Sequence, residues 1–306
     1  MKYLYLLWLL AVFTSAFSQE DPLYAQYLNN PLVINPAYTG LNNNFNASVS
    51  YRRQWSNFDG SPTTINVSAH SSVSHNKMGL GMLVVQDKTG ANKNTEAYAT
   101  YAYRLNLNGS YLSFGIQAGF INFKTNNDAL NTYDPTDPAF SNNLNVTKPS
   151  VGAGLILNSE HFFAGLSIPR MLPSTTILSD DNTGNTVKAR LYDQHYYGAA
   201  AYVFYLSPRV RLRPSVLAKY VPGAPLSVDY TMAINLDQKY SAGLFTRNAN
   251  AFGFLLQCRF ADAYRFGYAF EVPAGNAVGT RFNTHEITLG INLALFSFQN
   301  TALTNF

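Results

Sequence analysis

From His285 to Leu295 apolar residues take every second position: Ile287, Leu289, Ile291, Leu293 and Leu295, with Glu286, Thr288, Gly290, Asn292 and Ala294 between them. A strand turns successive side chains to opposite faces, so one face here is aliphatic and the other polar or small. On a soluble sheet the aliphatic face would meet a core. In an outer-membrane barrel it meets lipid while the polar face lines the lumen. The alternation recurs along most of the chain. Phe45, Ala47, Val49 and Tyr51 oppose Asn44, Asn46, Ser48, Ser50 and Arg52, and Ile65, Val67 and Ala69 oppose Asn66, Ser68 and His70. In the run 110–124, Leu112, Phe114, Ile116, Ala118 and Phe120 share one face. Phe252, Phe254, Leu256, Cys258 and Phe260 do so in 251–261, and Tyr264, Phe266, Tyr268 and Phe270 in 263–272. With the runs at 77–86, 94–105, 150–158, 161–169, 192–206, 209–221, 226–236, 239–247 and 284–296, the pattern predicts an all-β transmembrane antiparallel barrel. About fourteen strands are expected, an even number as single-chain bacterial barrels require.

The connections give a second check. The even-numbered ones, around 72–76, 106–109, 158–160, 206–208, 236–238 and 261–263, are tight, whereas 125–149 and 170–191 are long and both odd-numbered. Short periplasmic turns and long outer loops are the asymmetry of such barrels. Ahead of the first strand, residues 20–42 hold three prolines and no sustained alternation, which predicts an ordered arm or plug. The start of the chain, Met1-Lys2 followed by an apolar run from Tyr3 to Phe13 and the small residues before Gln19, predicts a signal peptide over 1–18. The expected division is therefore signal peptide 1–18, arm or plug 19–43 and barrel 44–306.

Composition decides between soluble sheet and barrel. Only 12% of the 306 residues are charged, against roughly 25% in soluble domains, and 14% are aromatic. No apolar run after residue 18 approaches the ~20 residues of a spanning helix, so lipid-facing strands account for the scarcity of charge, and the aromatics suit interfacial girdles. The net charge of +4, or +3 without Lys2, is too weak and dispersed for nucleic acid. Cys258 is alone, so no intrachain disulfide forms, and it reads as a small apolar residue.

Candidate chemistry is sparse. His70 and Ser72 share a strand face, as an acyl hydrolase could use, but that face is lumenal, and a lipid-attacking nucleophile needs the other one. Asp134 and Asp137 with Asn142 and Asn143, and Asp180 and Asp181 with Asn182, offer oxygen atoms in the long outer loops without the spacing of a calcium loop. They read as turn residues and as possible contacts for a partner. The histidines at 75, 161, 195 and 285 lack metal-ligand spacing, so no metal and no cofactor is predicted. Gly79-x-Gly81 and Gly152-x-Gly154 lie inside strands, where glycine relieves crowding or bends the wall. Adjacent Arg52 and Arg53 face opposite ways. Arg53 belongs at the outer interface with Trp55 in the aromatic belt, because a charge facing mid-bilayer lipid costs ~2–4 kcal/mol. Arg52 points inward, where it can anchor the arm or a partner peptide. Glu96, Arg104, Lys124, Lys219, Arg259, Arg265 and Glu271 are also expected inside, making either a wet channel or a salt-bridged plug.

The arm carries a further signature: Gln26-Tyr27, Asn30-Pro31-Leu32, and Asn35-Pro36-Ala37-Tyr38-Thr39-Gly40. Tyr51 to Trp55, Gly60 to Thr64, Gly79-Leu80-Gly81, Gly165 to Pro169, Pro214 to Tyr220, Pro222 to Pro225, Arg265 to Phe270 and His285 to Gly290 continue it in register. Together these resemble the PorP/SprF family of type IX secretion-system membrane proteins over nearly the whole chain. The resemblance implies an outer-membrane barrel of Bacteroidetes-type bacteria that works, without enzymatic chemistry, in type IX secretion and gliding. It implies two kinds of partner: a large secreted adhesin held by its C-terminal domain, or periplasmic ring and peptidoglycan-binding components. The arm residues Asn35, Pro36, Tyr38 and Gly40 then become candidate plug or partner contacts. A passive porin is the alternative outside secretion.

Overall fold

The computed structural model describes residues 27, 30–127, 143–180, 186–274 and 282–299, with the backbone alone for 174–180 and 186–191. The expected signal peptide and most of residues 19–29 lie outside the described residues. In chain order the strands are β1 (Phe45–Arg53), β2 (Thr63–Val73), β3 (Met78–Thr89), β4 (Asn92–Asn106), β5 (Ser110–Thr125), β6 (Leu144–Ser159) and β7 (Phe162–Ile168). A separate hairpin of β8 (Ser174–Asp180) and β9 (Thr186–Tyr192) stands in the next connection. Then come β10 (Tyr196–Tyr202), β11 (Phe204–Tyr205), β12 (Val210–Tyr220), β13 (Ser227–Leu236), β14 (Tyr240–Arg247), β15 (Ala251–Phe260), β16 (Tyr264–Pro273) and β17 (Thr284–Leu293).

These close into one antiparallel barrel. Within the wall each strand pairs with the next, except that β7 meets β10 past the β8–β9 hairpin and β10 meets β12; β1 meets β17 from Phe45↔Leu293 to Arg53↔His285. The sheet contains fifteen strands, but β11 is only the tail of β10 beyond a break at Val203, so the wall has fourteen staves. Closure leaves no edge, which hydrocarbon demands because it offers backbone groups no partner. At the break, the Val203 N–H still donates to the His161 carbonyl (2.7 Å), so the extra residue costs no hydrogen bond.

The face assignments follow the alternation. On β17, Glu286, Thr288 and Asn292 are buried while Ile287, Leu289 and Leu293 are exposed; on β1, Ser50 and Arg52 are buried while Val49 and Tyr51 are exposed. Lys124 departs from expectation. It shares the outward parity of Phe114 and Phe120 and is exposed near the upper end of β5, not lumenal. The lumenal face is also less polar than expected, since Ile156, Phe163, Leu217 and Leu255 all point inward and are buried.

Boundaries differ at three places. β6 begins at Leu144, pairing Thr125↔Leu144 through Phe120↔Pro149, so both ends of the expected loop 125–149, Thr125 and Leu144 to Pro149, belong to the β5–β6 ladder. The loop 170–191 contains the β8–β9 hairpin instead of being wholly irregular. The last strand ends at Leu293, after which Gln299 turns the chain back. Its side-chain oxygen accepts from Leu295 N (2.8 Å), and its amide donates to Ser71 Oγ (2.9 Å) and the Ser72 carbonyl (2.7 Å).

If the outward face of β17 meets hydrocarbon, Leu289→Arg will destabilise the folded barrel by about 2–4 kcal/mol in reversible unfolding from lipid vesicles. Lys124→Ala in the same assay is expected to change nothing measurable. An equal response to both would place the membrane elsewhere.

Candidate functional site: a lumenal plug and a charged belt

Local rules shape the arm. Proline at the first position of Pro31–Val33 and of Pro36–Tyr38 sets φ for two short 3-10 turns. Asn35 caps the second turn, its Oδ1 accepting from Ala37 N at 2.9 Å. Thr39 Oγ1 donates to the Pro36 carbonyl (2.7 Å) and the Tyr38 hydroxyl donates to Asn42 Oδ1 (2.8 Å). Gly40 then takes φ +69°, a conformation costly for other residues, as the chain turns towards β1.

The wall is built to receive these turns. A Cβ on Gly79 would lie 2.0 Å from the Thr39 carbonyl oxygen, one on Gly115 2.0 Å from Ala37 N, and one on Gly154 2.0 Å from Asn35 Oδ1. Gly79 and Gly115 thus make room for the arm's backbone and Gly154 for the Asn35 side chain, which goes beyond the relief of crowding expected from sequence. Around them, side chains serve the arm's polar groups. Asn35 Nδ2 donates to the carbonyls of Leu155 and Leu166 (both 3.2 Å), which face each other across β6 and β7. Ser113 Oγ donates to the Ala37 carbonyl (2.7 Å), Ser167 Oγ to the Ile34 carbonyl (2.6 Å), and Asn30 Nδ2 to Ser68 Oγ (3.0 Å). Arg104 donates to the Gly40 carbonyl and to Asn43 Oδ1 (2.6 Å). Leu32, Ala37, Tyr38 and Leu41 pack with Ile156, Phe163 and Ala201 into one apolar cluster. The inward apolar residues are therefore the arm's seat. Of the alternatives left open by the sequence, the described part of the lumen is plugged.

His70 and Ser72 belong to the same seat. His70 Nδ1 accepts the Gly40 N–H (3.0 Å), and its ring meets Tyr38 edge-on, with centroids 5.7 Å apart. Ser72 is fully buried and its Oγ accepts from Gln299 (3.1 Å). The two side chains serve different segments and form no dyad.

Above the plug lies a belt of ion pairs near the outer ends of five strands. Arg52 of β1 meets Glu286 of β17 (3.2 Å) and Glu271 of β16 (3.3 Å). Arg247 of β14 meets Glu271 (3.2 Å) and Asp229 of β13 (2.8 Å). Their side chains are 3–10% exposed, so each charge depends on its neighbours, and removing one strands another. Across the lumen Arg170 pairs with Glu96 at 3.1 Å, and the Tyr98 hydroxyl lies 3.0 Å from the same carboxylate. Arg52, considered from sequence as the arm's anchor, belongs to the belt; the cation that grips the arm is Arg104. Inward parity marked both, but which one meets Gly40 depends on depth in the barrel. Arg53 is exposed on the outward face, and Trp55 starts the first outer loop with φ +53° and its N–H donating to Thr284 Oγ1 (3.3 Å). Asp180 ends β8, whereas Asp134, Asp137 and Asp181 lie outside the described residues.

Arg104→Ala leaves the buried Gly40 carbonyl and the Asn43 amide unserved, a cost of about 1–3 kcal/mol for each stranded group. Gly115→Val drives side-chain atoms into the Ala37 backbone. In planar bilayers the parent protein is expected to conduct little, and both variants, together with deletion of residues 19–43, to conduct more. Equal conductance of parent and deletion would mean that the arm does not close the lumen.

The family described as type IX secretion system membrane protein PorP/SprF matches residues 16–291. No curated protein matches the chain. Among solved structures, the monoaromatic hydrocarbon channel CymD aligns at TM-score 0.49 and 8% identity, covering 90% of this chain and 94% of that one. The Pseudomonas putida toluene transporter TodX aligns at 0.46 and 9%, covering 86% and 92%. The KdgM porin aligns at 0.39 and 10%, covering 81% and 99%.

Proposed function

Because the chain belongs to the PorP/SprF family of type IX secretion system membrane proteins, we propose that it serves that system as a non-enzymatic outer-membrane platform. In this reading it supports export and surface anchoring of a secreted adhesin-like protein by docking that protein's C-terminal domain. The observation that carries the reading is the disposition of the chain about the wall. The described part of the lumen is plugged by the chain's own arm, while the strand ends that bound the two longest connections, Thr125 and Leu144, and Ile168 and Tyr196, lie on the side away from the arm's entry. A rigid barrel with a closed lumen fixes those segments at the cell surface, where they can present side chains and the β8–β9 hairpin to a partner.

A passive porin fits the filled lumen poorly. The alternative within secretion is a core component whose periplasmic turns meet ring and peptidoglycan-binding proteins. The turns 206–209 and 237–239 carry charge for such contacts. There Arg209 binds Asp237 through two bonds (2.6 and 3.0 Å), which hold the Asp237 carboxyl below its usual pKa, though an exposed pair of this kind adds little stability.

A mild-detergent pull-down of the tagged protein from native outer membranes, read by mass spectrometry, separates these readings. Docking predicts recovery of one large secreted protein and its loss when 126–143 and 169–195 are shortened. Recovery of periplasmic components that survives loop shortening would move the protein into the core apparatus. Recovery of the barrel alone would count against both.

A further inference from the structure

Among the described residues, the wall strands turn four cationic side chains outward, Arg53, Lys88, Lys93 and Lys124, and no acidic one. All four fall in one row across the sheet. Arg53 of β1 stands opposite Thr63 of β2, and Thr63 opposite Lys88 of β3. Lys88 stands opposite Lys93 of β4, and Lys93 opposite Lys124 of β5. The row covers four strand spacings, about 19 Å. Like charges directly opposite one another destabilise a sheet, and here three lysines do so on consecutive strands. Each of the four is exposed, and none makes a hydrogen bond or ion pair with a described residue.

The row lies at the outer boundary of the membrane. Lys88 is ten residues along β3 from Met78 at its periplasmic end. That is ~33 Å of strand, or ~25 Å of height at the ~40° tilt of such walls, which is the height of the apolar band. Lys93 and Lys124 are thirteen residues from Asn106 and Tyr111, the pair at the periplasmic end of their ladder, so they stand ~8 Å higher. The outward face changes character on the way up. Four residues below the lysines are Val84, Ala97 and Phe120, with Val49 and Val67 continuing that row. Two residues below them are Gln86, Thr95 and Asn122. Asn122 Nδ2 donates to Asn145 Oδ1 (2.9 Å) and Thr147 Oγ1 (2.8 Å) of β6, so the polar row extends one strand further.

Apolar, polar and cationic rows in that order match the acyl chains, hydroxyl-bearing sugar and phosphate of a phosphorylated glycolipid. We propose that the outward face of β3, β4 and β5 binds such a lipid of the outer leaflet, of the lipid A class, with its phosphate groups on Lys88, Lys93 and Lys124. Its acyl chains lie against Val84, Ala97 and Phe120, and its sugar hydroxyls meet Gln86 and Asn122. Phosphate set among three ammonium groups takes charge-assisted hydrogen bonds from them and offsets their mutual repulsion. The lysine stems run along the wall and keep their charges at the headgroup level. A free phosphate ion would leave the apolar and polar rows unused, whereas the lipid engages all three. The proposal goes beyond the secretion role and stands independently of it.

The test is native mass spectrometry of the full protein in detergent, titrated with diphosphoryl lipid A and with the same lipid stripped of its phosphates. Saturable binding of the phosphorylated lipid is expected, with the stripped lipid at least tenfold weaker. A cation beside an anionic lipid surface strengthens association about fivefold, so Lys93→Gln should weaken binding by about that factor and the triple glutamine variant of Lys88, Lys93 and Lys124 about 100-fold. Lys93→Arg should retain it. Lys77→Gln, which removes the same charge from the exposed β2–β3 turn at the opposite rim, should change nothing. Heat-modifiable migration on gels reports folding, and Lys93→Gln alone carries the test if the triple variant fails to fold. In vesicles without this lipid the lysines stay silent, in keeping with the unfolding expected for Lys124→Ala. Equal binding of the two lipids, full binding by the lysine variants, or an equal loss in Lys77→Gln would overturn the site. Displacement of the lipid by millimolar inorganic phosphate would overturn the lipid assignment.

Discussion

Hydrocarbon offers no partner to a peptide group, and the structure is organised around that constraint. Fourteen staves satisfy one another's backbone in a closed cycle, with β1 and β17 completing it over nine residue pairs. Closure leaves one region still to be satisfied, the lumen, and here the same demand takes another form. The Asn-Pro segments of the arm cannot join the ladder, because proline lacks an N–H and fixes φ. Their carbonyls and amides are met by side chains instead: Ser113, Ser167, His70 and Arg104 each serve one backbone group of the arm. Asn35 works in the other direction and serves two carbonyls of the wall.

The seat is therefore specific in a way a generic polar lumen is not. Gly79 and Gly115 allow a backbone-to-backbone approach, and Gly154 an approach of the Asn35 side chain, that any side chain would block. The apolar cluster around Leu32 and Tyr38 gains its partners from the inward faces of β6, β7 and β10. Without the arm, Ile156 and Phe163 would line a hydrated space, which is unfavourable in proportion to the apolar area exposed. Arm and wall stabilise each other, and the barrel becomes a solid body that displays its loops. The belt from Asp229 through Arg247, Glu271 and Arg52 to Glu286 braces the opposite end. It links strands far apart in sequence by charges whose burial penalises any rearrangement that separates them.

How much of this was legible in the sequence depends on the range of the signal. Strand number, strand faces and the division between tight turns and long loops are encoded locally, because a period of two and a lipid exterior leave each residue one of two fates. The plug residues Asn35, Pro36, Tyr38 and Gly40 could be singled out as a motif, and Arg52 and Arg104 as inward charges. Nothing local could say that Arg104 grips Gly40 while Arg52 joins the belt, since the two share a parity and differ only in depth. Lys124 was misplaced because a charge invites an inward assignment, whereas its even-numbered parity put it outside, at a height where lipid no longer forbids it.

Alternation and scarcity of charge by themselves determined that this protein is a transmembrane barrel with an irregular leading arm. Tertiary structure alone decided that the arm lies inside, that the wall glycines are its footprint, and that His70 and Ser72 serve separate segments. The physical reason is that a strand's period reports which face a residue takes, whereas contacts across a closed lumen depend on register and depth. Those are set only when the first and last staves meet.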